Sequence, residues 1–365
     1  MPAAFFTALS TIRTVEDMVA AFSDETRCRT LLESMVWPTG RICPACGYRR
    51  SIALAGRDRG EFRARPGLYQ CSSGDCKFQF AVTTRTPMHS TKLPLIVWFR
   101  ALWLILQSDK GLSSVRLAEA IGVSQPTAWR MGHALRLLVA RQNQLGGTVE
   151  LDGFYMGGQP KQNRDEPRPG RGRKGQRKTL KTPILTVVQR SGETNIGTQA
   201  GSAMAAVVAN LSEFETEKVL EKEVEQTAHL MSDAAKSLVA VGQKFAAHDT
   251  VNHRAKEYVR GSVHANSAEG FNSQVRRTVA GVFHHISVKH ADLYFQEIGF
   301  RWSQRVVVRQ VQRQSRSGRQ SVHPHWARIP PALQLQQVFR SATGRQMRRT
   351  RAGGIDIKSK VAVFG

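Results

Sequence analysis

Apolar residues recur at helical spacing through residues 95–106, 115–121 and 128–138, which predicts three successive helices. Gly111 and Gly122 punctuate this run, and Ser113 and Ser124 stand where helix N-caps belong. From about residue 148 the texture changes to alternation. "TVELDGFYMGG" reads as a strand with Asp152 near its middle, and "TPILTVVQRS" and "TNIGTQA" as two more strands joined at "SGE". Residues 203–226 then read as helical, and "TAHLMSDAA" as a short apolar strand ending at Asp233. "AAKSLVAVGQKF" reads as a helix, "HDTVNH" as a short strand or loop, and residues 266–278 as a helix.

Three strands, helix, strand, helix, strand, helix is an α/β order, matching a ribonuclease-H-like mixed sheet with flanking helices. The pattern divides the chain into an N-terminal helical segment (1–37), a cysteine-bearing segment (38–88), a helical segment (89–145), the α/β domain (146–305) and a basic C-terminal tail (306–365). The tail region from Arg301 to Arg351 holds twelve arginines and no acid. It is expected to be partly disordered, with "PPALQLQQVF" as a short helix. A loop at 161–178 carries eight Lys or Arg against two acids and reads as a flexible phosphate-contacting insertion. Its "GRGRKGQ" spaces glycines like a P-loop but has Gln176 where lysine belongs, which excludes that nucleotide site.

Composition narrows the partner. Net charge is +25 with a pI near 10.8, an imbalance that points to a polyanion, first of all nucleic acid. The longest apolar candidate, "LPLIVWFRALWLIL", is interrupted by Arg100, so no membrane span is expected. The N-terminus has Arg13 and acids where a signal peptide needs a clean apolar core. A soluble intracellular protein is expected.

Four of the five cysteines fall in one window. Cys43 and Cys46 form a C-x-x-C followed by Gly47, and Cys71 and Cys76 form a looser C-x-x-x-x-C. Two thiolate pairs on tight turns can converge tetrahedrally on Zn²⁺, as in a zinc ribbon. Structural disulfides or unrelated buried cysteines are the alternative, and Cys28 reads as core. "SSVRLAEAIGVSQPTAWRMGHALR" has the helix–Gly turn–helix shape of a helix-turn-helix. In that reading Ser124, Gln125, Thr127 and Arg130 are exposed early in its second helix, where DNA is met; a plain helical hairpin is the alternative.

In so basic a chain the few carboxylates are informative. Asp152 lies mid-strand, Asp233 at a strand end and Glu269 one turn into a helix that can cross those strand ends. Three converging carboxylates repel unless divalent cations hold them, and Mg²⁺ (or Mn²⁺) suits that donor set. Turn, cap and surface roles are the alternative. Ala268, Phe271 and Val275 form one helix face, while Glu269, Asn272 or Ser273, and Arg276 form another, so a metal ligand and a phosphate-binding cation can share a face.

The motifs "CPACG", "YQCSSGDCKFQFAVTTRTPMHSTKLPLIVW", "VELDGFYMGG", "LMSDAAKSL", "HDTVNHRAKEYVRGSVHANSAEGFNSQVRR" and "GVFHHISVKHADLYFQEIGFRWSQR" resemble those of bacterial insertion-sequence transposases of the DDE type. The resemblance, over roughly residues 15–305, is to the branch with an N-terminal zinc ribbon and an ISXO2-like transposase domain. It implies a ribonuclease-H-like fold, two divalent ions, nicking at element ends and joining of the 3′-hydroxyl to target DNA. It implies a homodimer or higher oligomer assembled on DNA in the bacterial cytoplasm, at the nucleoid. By it, "LDG" makes Asp152 the first acid, "SDA" makes Asp233 the second and "NSAEGF" makes Glu269 the third. Between Asp233 and Glu269 lie 35 residues, a separation familiar from DDE recombinases. Some branches carry Asn and Lys or His in the final catalytic positions, for which Asn266 and His290 are the counterparts; Glu269 is preferred because a carboxylate binds Mg²⁺ better than an amide. Arg276 and Arg277 follow on the same helix to meet DNA. A non-catalytic DNA-binding protein, such as a domesticated transposase or regulator, is the competing reading.

Overall fold

A computed structural model describes residues 9–54, 66–157, 181–314, 318, 320–350 and 355–359. The chain forms two compact units, one of Met1–Ala140 with Ile329–Gly365, the other of Arg141–Arg328.

The first unit opens with α1 (Val15–Ala21) and α2 (Glu25–Val36). Both start at side-chain caps: Thr14 forms a capping box with Asp17, and Asp24 accepts from the Arg27 N–H at 2.6 Å. β1 (Ser51–Ala53), β2 (Tyr69–Cys71) and β3 (Gln79–Phe80) make a small antiparallel sheet in that order. α3 (Leu95–Gln107), α4 (Ser114–Ile121) and α5 (Gln125–Val139) follow. Ser113 caps α4, Gly122 ends it at φ +68°, and Pro126 in the first turn starts α5. That left-handed position is one only glycine takes without strain, so the reversal between α4 and α5 is tight. Phe22 packs on Phe99 at 5.2 Å between ring centroids, and Cys28 is buried in α2, its thiol pushed up to about 12 by that burial.

The second unit is built on a five-stranded mixed sheet. Its strands are β4 (Thr148–Met156), β5 (Thr182–Gln189), β6 (Ala203–Val207), β7 (His229–Asp233) and β8 (Ala247–Val251), in the order β6-β5-β4-β7-β8. β4 and β6 run antiparallel to β5 between them, while β7 and β8 extend the sheet in parallel from β4. α6 (Glu213–Glu223) and α7 (Lys236–Gly242) link β6 to β7 and β7 to β8. α8 (Asn266–Thr278), a single π turn (Val279–Phe283) and α9 (Val288–Ser303) follow the last of these strands.

Alternation along β4 divides the core into two. Val149 and Leu151 join Leu220, Val224 and Leu238 on one face of the sheet. Phe154 joins Ala268, Phe271, Val275 and Phe295 on the other. By the same alternation Glu150 and Asp152 point toward α8. The central strand is covered on both sides, as a sheet with parallel pairs requires.

Two expectations are corrected here. Residues 203–207 are strand β6, not the start of a helix, and the helix begins only after the Ser212 cap. "AMAAV" has high helix propensity, but Ala203, Met204 and Ala205 are buried on the sheet edge, and tertiary packing overrides propensity. The third strand expected at "TNIGTQA" is therefore displaced to these residues. The tail from residue 306 is also not one basic appendage. β9 (Arg305–Gln314) and β10 (Gln320–Arg328) pair as an antiparallel ribbon of the second unit. The expected short helix is present as α10 (Pro331–Arg340), and it belongs to the first unit, where Phe339 stacks on Phe99 at 5.4 Å. β11 (Arg345–Arg349) and β12 (Ile355–Ser359) complete that unit. The buried Ala332, Leu335, Val338 and Phe339 give the reason: their helical spacing makes an apolar stripe that needs a core. The basic loop at 161–178 lies outside the described residues.

Candidate active site and thiolate metal centre

The four paired cysteines converge. Cys43 Sγ lies 3.9 Å from Cys76 Sγ and Cys46 Sγ 3.6 Å from Cys71 Sγ, and all four sulfurs lie within 4.8 Å of one another. Tetrahedral zinc thiolate, with Zn–S of about 2.3 Å, places sulfurs about 3.8 Å apart, so the set fits such an ion. Each pair sits on a knuckle. The Gly47 N–H donates to the Cys43 carbonyl at 2.9 Å, with Gly47 at φ +79°. Across the site Lys77, directly after Cys76, takes φ +45°, the position matching Gly47 after Cys46. The two extra residues of the second pair are thus absorbed in the turn. Tyr69, Phe80 and Trp37 pack around the cysteines and keep the sheet behind them apolar.

The candidate carboxylates lie in the second unit. β4 pairs in parallel with β7 with Leu151 opposite Ser232, so the next residues along each strand, Asp152 and Asp233, stand side by side. Asp152 Oδ1 accepts from the Gly153 N–H at 2.7 Å, and Oδ2 accepts from the Asn272 side-chain amide at 2.6 Å. Asn272 is buried and its Oδ1 accepts from the Thr186 hydroxyl at 2.7 Å, so the amide is oriented with its N–H₂ toward Asp152. Asp233 Oδ1 accepts from the Ala235 N–H at 3.2 Å. Glu269 is exposed on α8, with Oε1 3.9 Å from His253 Nδ1.

Burial is the main cause that pushes the Asp152 carboxyl up to about 6, and the negative charges of Asp233 and Glu269 push it further, against the bonds from Gly153 and Asn272. Burial is the larger part of that shift, and the two neighbouring negative charges add to it. Oxygen donors of this kind fit a hard divalent cation. The three stand further apart than the four sulfurs do, since the cysteines are the one set of three or more metal-donor side chains gathered within 4.8 Å among the described residues. A cleft of about 630 Å³ opens beside Asp233, lined also by Tyr155, Lys236, Ser237, Asn252 and His253.

One residue with a structural role at this site escaped sequence reasoning. Glu150, fully buried on β4, accepts from the Ser267 N–H at 2.6 Å and the Ala268 N–H at 3.0 Å, the second and third amides of α8, which have no partner within the helix. Arg190 Nε donates to it at 2.5 Å, and His264 Nδ1 lies 3.3 Å away. Ala265, the N-cap, offers no side-chain oxygen, so Glu150 does the capping across the sheet. With Asn272 bonded to Asp152, α8 is tied to β4 at two points, immediately before Glu269 and three residues after it. The available signal was a second acid two residues before Asp152, on the same face of the strand and flanked by Val149 and Leu151.

Asn266 is exposed at the start of α8, and His290 sits in the first turn of α9, its ring pKa lowered by partial burial and by Lys289. Asn272 belongs to the buried side of α8 and not to its solvent face. Arg276 and Arg277 are exposed, with the Arg276 guanidinium 4.5 Å over the Phe154 ring. In the first unit Ser124, Gln125 and Arg130 are exposed and Thr127 half-buried. Ser124 Oγ and Thr127 Oγ1 lie 2.8 Å apart, and the Gln125 amide donates to Ser114 Oγ at 2.7 Å, joining the starts of α4 and α5.

Both centres fall within segments that match known domain families. Residues 144–303 match the family model of the ISXO2-like transposase domain, and residues 23–79 match that of the transposase zinc-ribbon domain. The chain carries an ISXO2-like transposase domain and a transposase zinc-ribbon domain. It is also 28% identical over 267 residues to the "Uncharacterized protein in transposable element ISH50" of Halobacterium salinarum, across 71% of this chain and 84% of that protein. The transposase-domain match spans Asp152, Asp233 and Glu269, and the zinc-ribbon match spans all four clustered cysteines. Among the described residues, no helix is long and apolar enough to cross a membrane.

Proposed function

We propose that this transposase binds the ends of an insertion sequence and carries out metal-dependent DNA cleavage and strand transfer at Asp152, Asp233 and Glu269. The observation that carries the reading is the raised Asp152 carboxyl, with Asp233 and Glu269 as its charged neighbours, beside an open cleft. In this reading the second unit is a ribonuclease-H-like domain. Two Mg²⁺ or Mn²⁺ ions, when bound, activate the attacking oxygen and stabilise the leaving one.

The protein groups orient that chemistry. Gly153 and Asn272 stabilise the ionised form of Asp152, offsetting part of the cost of its burial. The Ala235 N–H fixes the Asp233 side chain. Glu150 holds the start of α8 against β4 and so sets where Glu269 stands. Lys236, Arg276 and Arg277, all exposed, supply positive charge for DNA phosphates. In the first unit α4 and α5 act as a helix-turn-helix, with Ser124, Gln125, Thr127 and Arg130 presented to DNA. The cysteine cluster holds Zn²⁺ and stabilises the small sheet. Assembly as a dimer or higher oligomer on DNA at the nucleoid completes the reading.

The test is Asp233→Asn assayed on an oligonucleotide element end. Loss of Mg²⁺-dependent cleavage and joining with end binding unchanged is expected. Undiminished joining would remove the site assignment, and end binding without any joining by the wild type would favour a non-catalytic DNA-binding protein.

A further inference from the structure

The ribbon of β9 and β10 has a role that neither family match assigns, since both end before it. Val307 anchors its base, donating to the Thr198 carbonyl at 2.9 Å and accepting from the Gly197 N–H at 2.8 Å. Arg305, at the first position, is packed against Trp302, its guanidinium 4.2 Å from the ring. Among the described residues, the last hydrogen-bonded anchor to the body is Gln310, whose side-chain amide donates to the Thr194 carbonyl. Beyond it the pairing runs on within the ribbon alone, from Val311 opposite His323 to Gln314 opposite Gln320. Those four residues of β9 extend about 13 Å at the usual strand rise, and most are exposed.

The register sorts the ribbon into two unlike faces, because opposed residues of an antiparallel pair point the same way. Arg309 opposes His325, Val311 opposes His323, and Arg313 opposes Ser321. The other face carries Gln310, Gln312 and Gln314, opposite Pro324, Val322 and Gln320. The glutamine face is the one turned at its base toward the body, through Gln310, which leaves the arginine face open. Among the described residues neither Arg309 nor Arg313 has a carboxylate partner, and no Asp or Glu occurs in the sequence between Glu297 and Asp356.

We propose that this ribbon is a DNA-contacting arm of the catalytic unit, its Arg309–Arg313–His325 face laid on the phosphates of duplex DNA. Charge decides the partner. A second copy of a chain carrying +25 is repelled by such a face, whereas a duplex carries a negative charge every ~1.7 Å and a major groove wide enough to admit a two-stranded ribbon. The contact is to backbone, so it is independent of base sequence. It rests on the transposase reading only for the source of the DNA.

The test uses the full-length protein and a labelled random-sequence duplex titrated at several salt concentrations. Arg309→Ala/Arg313→Ala is expected to weaken binding about tenfold at moderate salt and to make the slope of log K against log salt shallower by about 2, one phosphate contact per arginine. Gln312→Ala/Gln320→Ala, on the opposite face, is expected to leave both quantities unchanged. Both pairs are exposed, and circular dichroism melts matching the wild type establish that each variant is folded. Unchanged affinity and slope in the arginine variant overturn the proposal. Equal loss in the glutamine variant overturns the assigned face, and a changed oligomeric state without changed DNA affinity makes the ribbon a protein contact instead. If the wild type joins no DNA ends yet the arginine pair still governs duplex affinity, the catalytic reading fails and the ribbon assignment stands.

Discussion

Asp152→Asn removes a buried charge that the fold disfavours without metal. The Asp152 carboxyl is raised from an ordinary 3.8 to about 6, chiefly by burial and then by Asp233 and Glu269. A carboxyl whose folded pKa lies above its unfolded one destabilises the fold once ionised. The penalty is absent below pH 4, grows between pH 4 and 6, and is full above pH 6. Two units correspond to about 3 kcal/mol. Asparagine keeps one acceptor oxygen, so either Gly153 or Asn272 loses a partner, at a cost of about 1 kcal/mol. The expected net gain is about 2 kcal/mol for the metal-free variant, or roughly 4–8 °C in the melting of a unit of this size. The assay is differential scanning calorimetry of chelator-treated protein from pH 4 to 8, with and without Mn²⁺. The gain should vanish at pH 4, and saturating Mn²⁺ should stabilise the wild type and narrow the gap. A variant less stable than wild type at pH 7.5, or a difference that does not change with pH, would refute the reasoning.

Other consequences are open to simpler measurements. Asn272→Ala removes a hydrogen bond that favours ionised Asp152, so the pH midpoint for Mn²⁺ binding should move above its wild-type value, as followed by calorimetric titration. Glu150→Gln leaves Arg190 without its charge partner and weakens the cap on α8; about 3 kcal/mol of destabilisation and faster hydrogen exchange at Ser267 and Ala268 are expected. Cys76→Ser should lower zinc content from about one ion per chain toward none by elemental analysis, and retention of full zinc would remove Cys76 from the site.

Much of this architecture was legible because its signals are local. The helices at α3, α4 and α5 carry both periodicity and end signals, and the C-x-x-C pair with Gly47 announces its own turn. Alternation in "VELDG" placed Asp152 within a strand, and the apolar "HLMS" placed Asp233 at a strand end. What was not legible depends on packing between segments distant in sequence. β6 is alanine-rich and becomes a strand only because β5 pairs with it. Nothing local distinguishes Arg305–Arg328, rich in arginine and glutamine, from a solvated tail, and its pairing depends on a register between two strands. Glu150 was silent for the same reason, since its partners lie 40 and 117 residues away.

The assignment of Glu269 as third metal ligand is open to the most direct test. Glu269→Cys places a soft thiolate where a hard oxygen donor stood, and a thiolate holds Mg²⁺ poorly but accepts softer ions. Strand transfer by this variant on an oligonucleotide element end should be absent in Mg²⁺ and restored in Mn²⁺, while Asn266→Ala stays active in both. Equal activity of Glu269→Cys in the two metals, or failure in both alongside loss in Asn266→Ala, would contradict the site built on Asp152, Asp233 and Glu269.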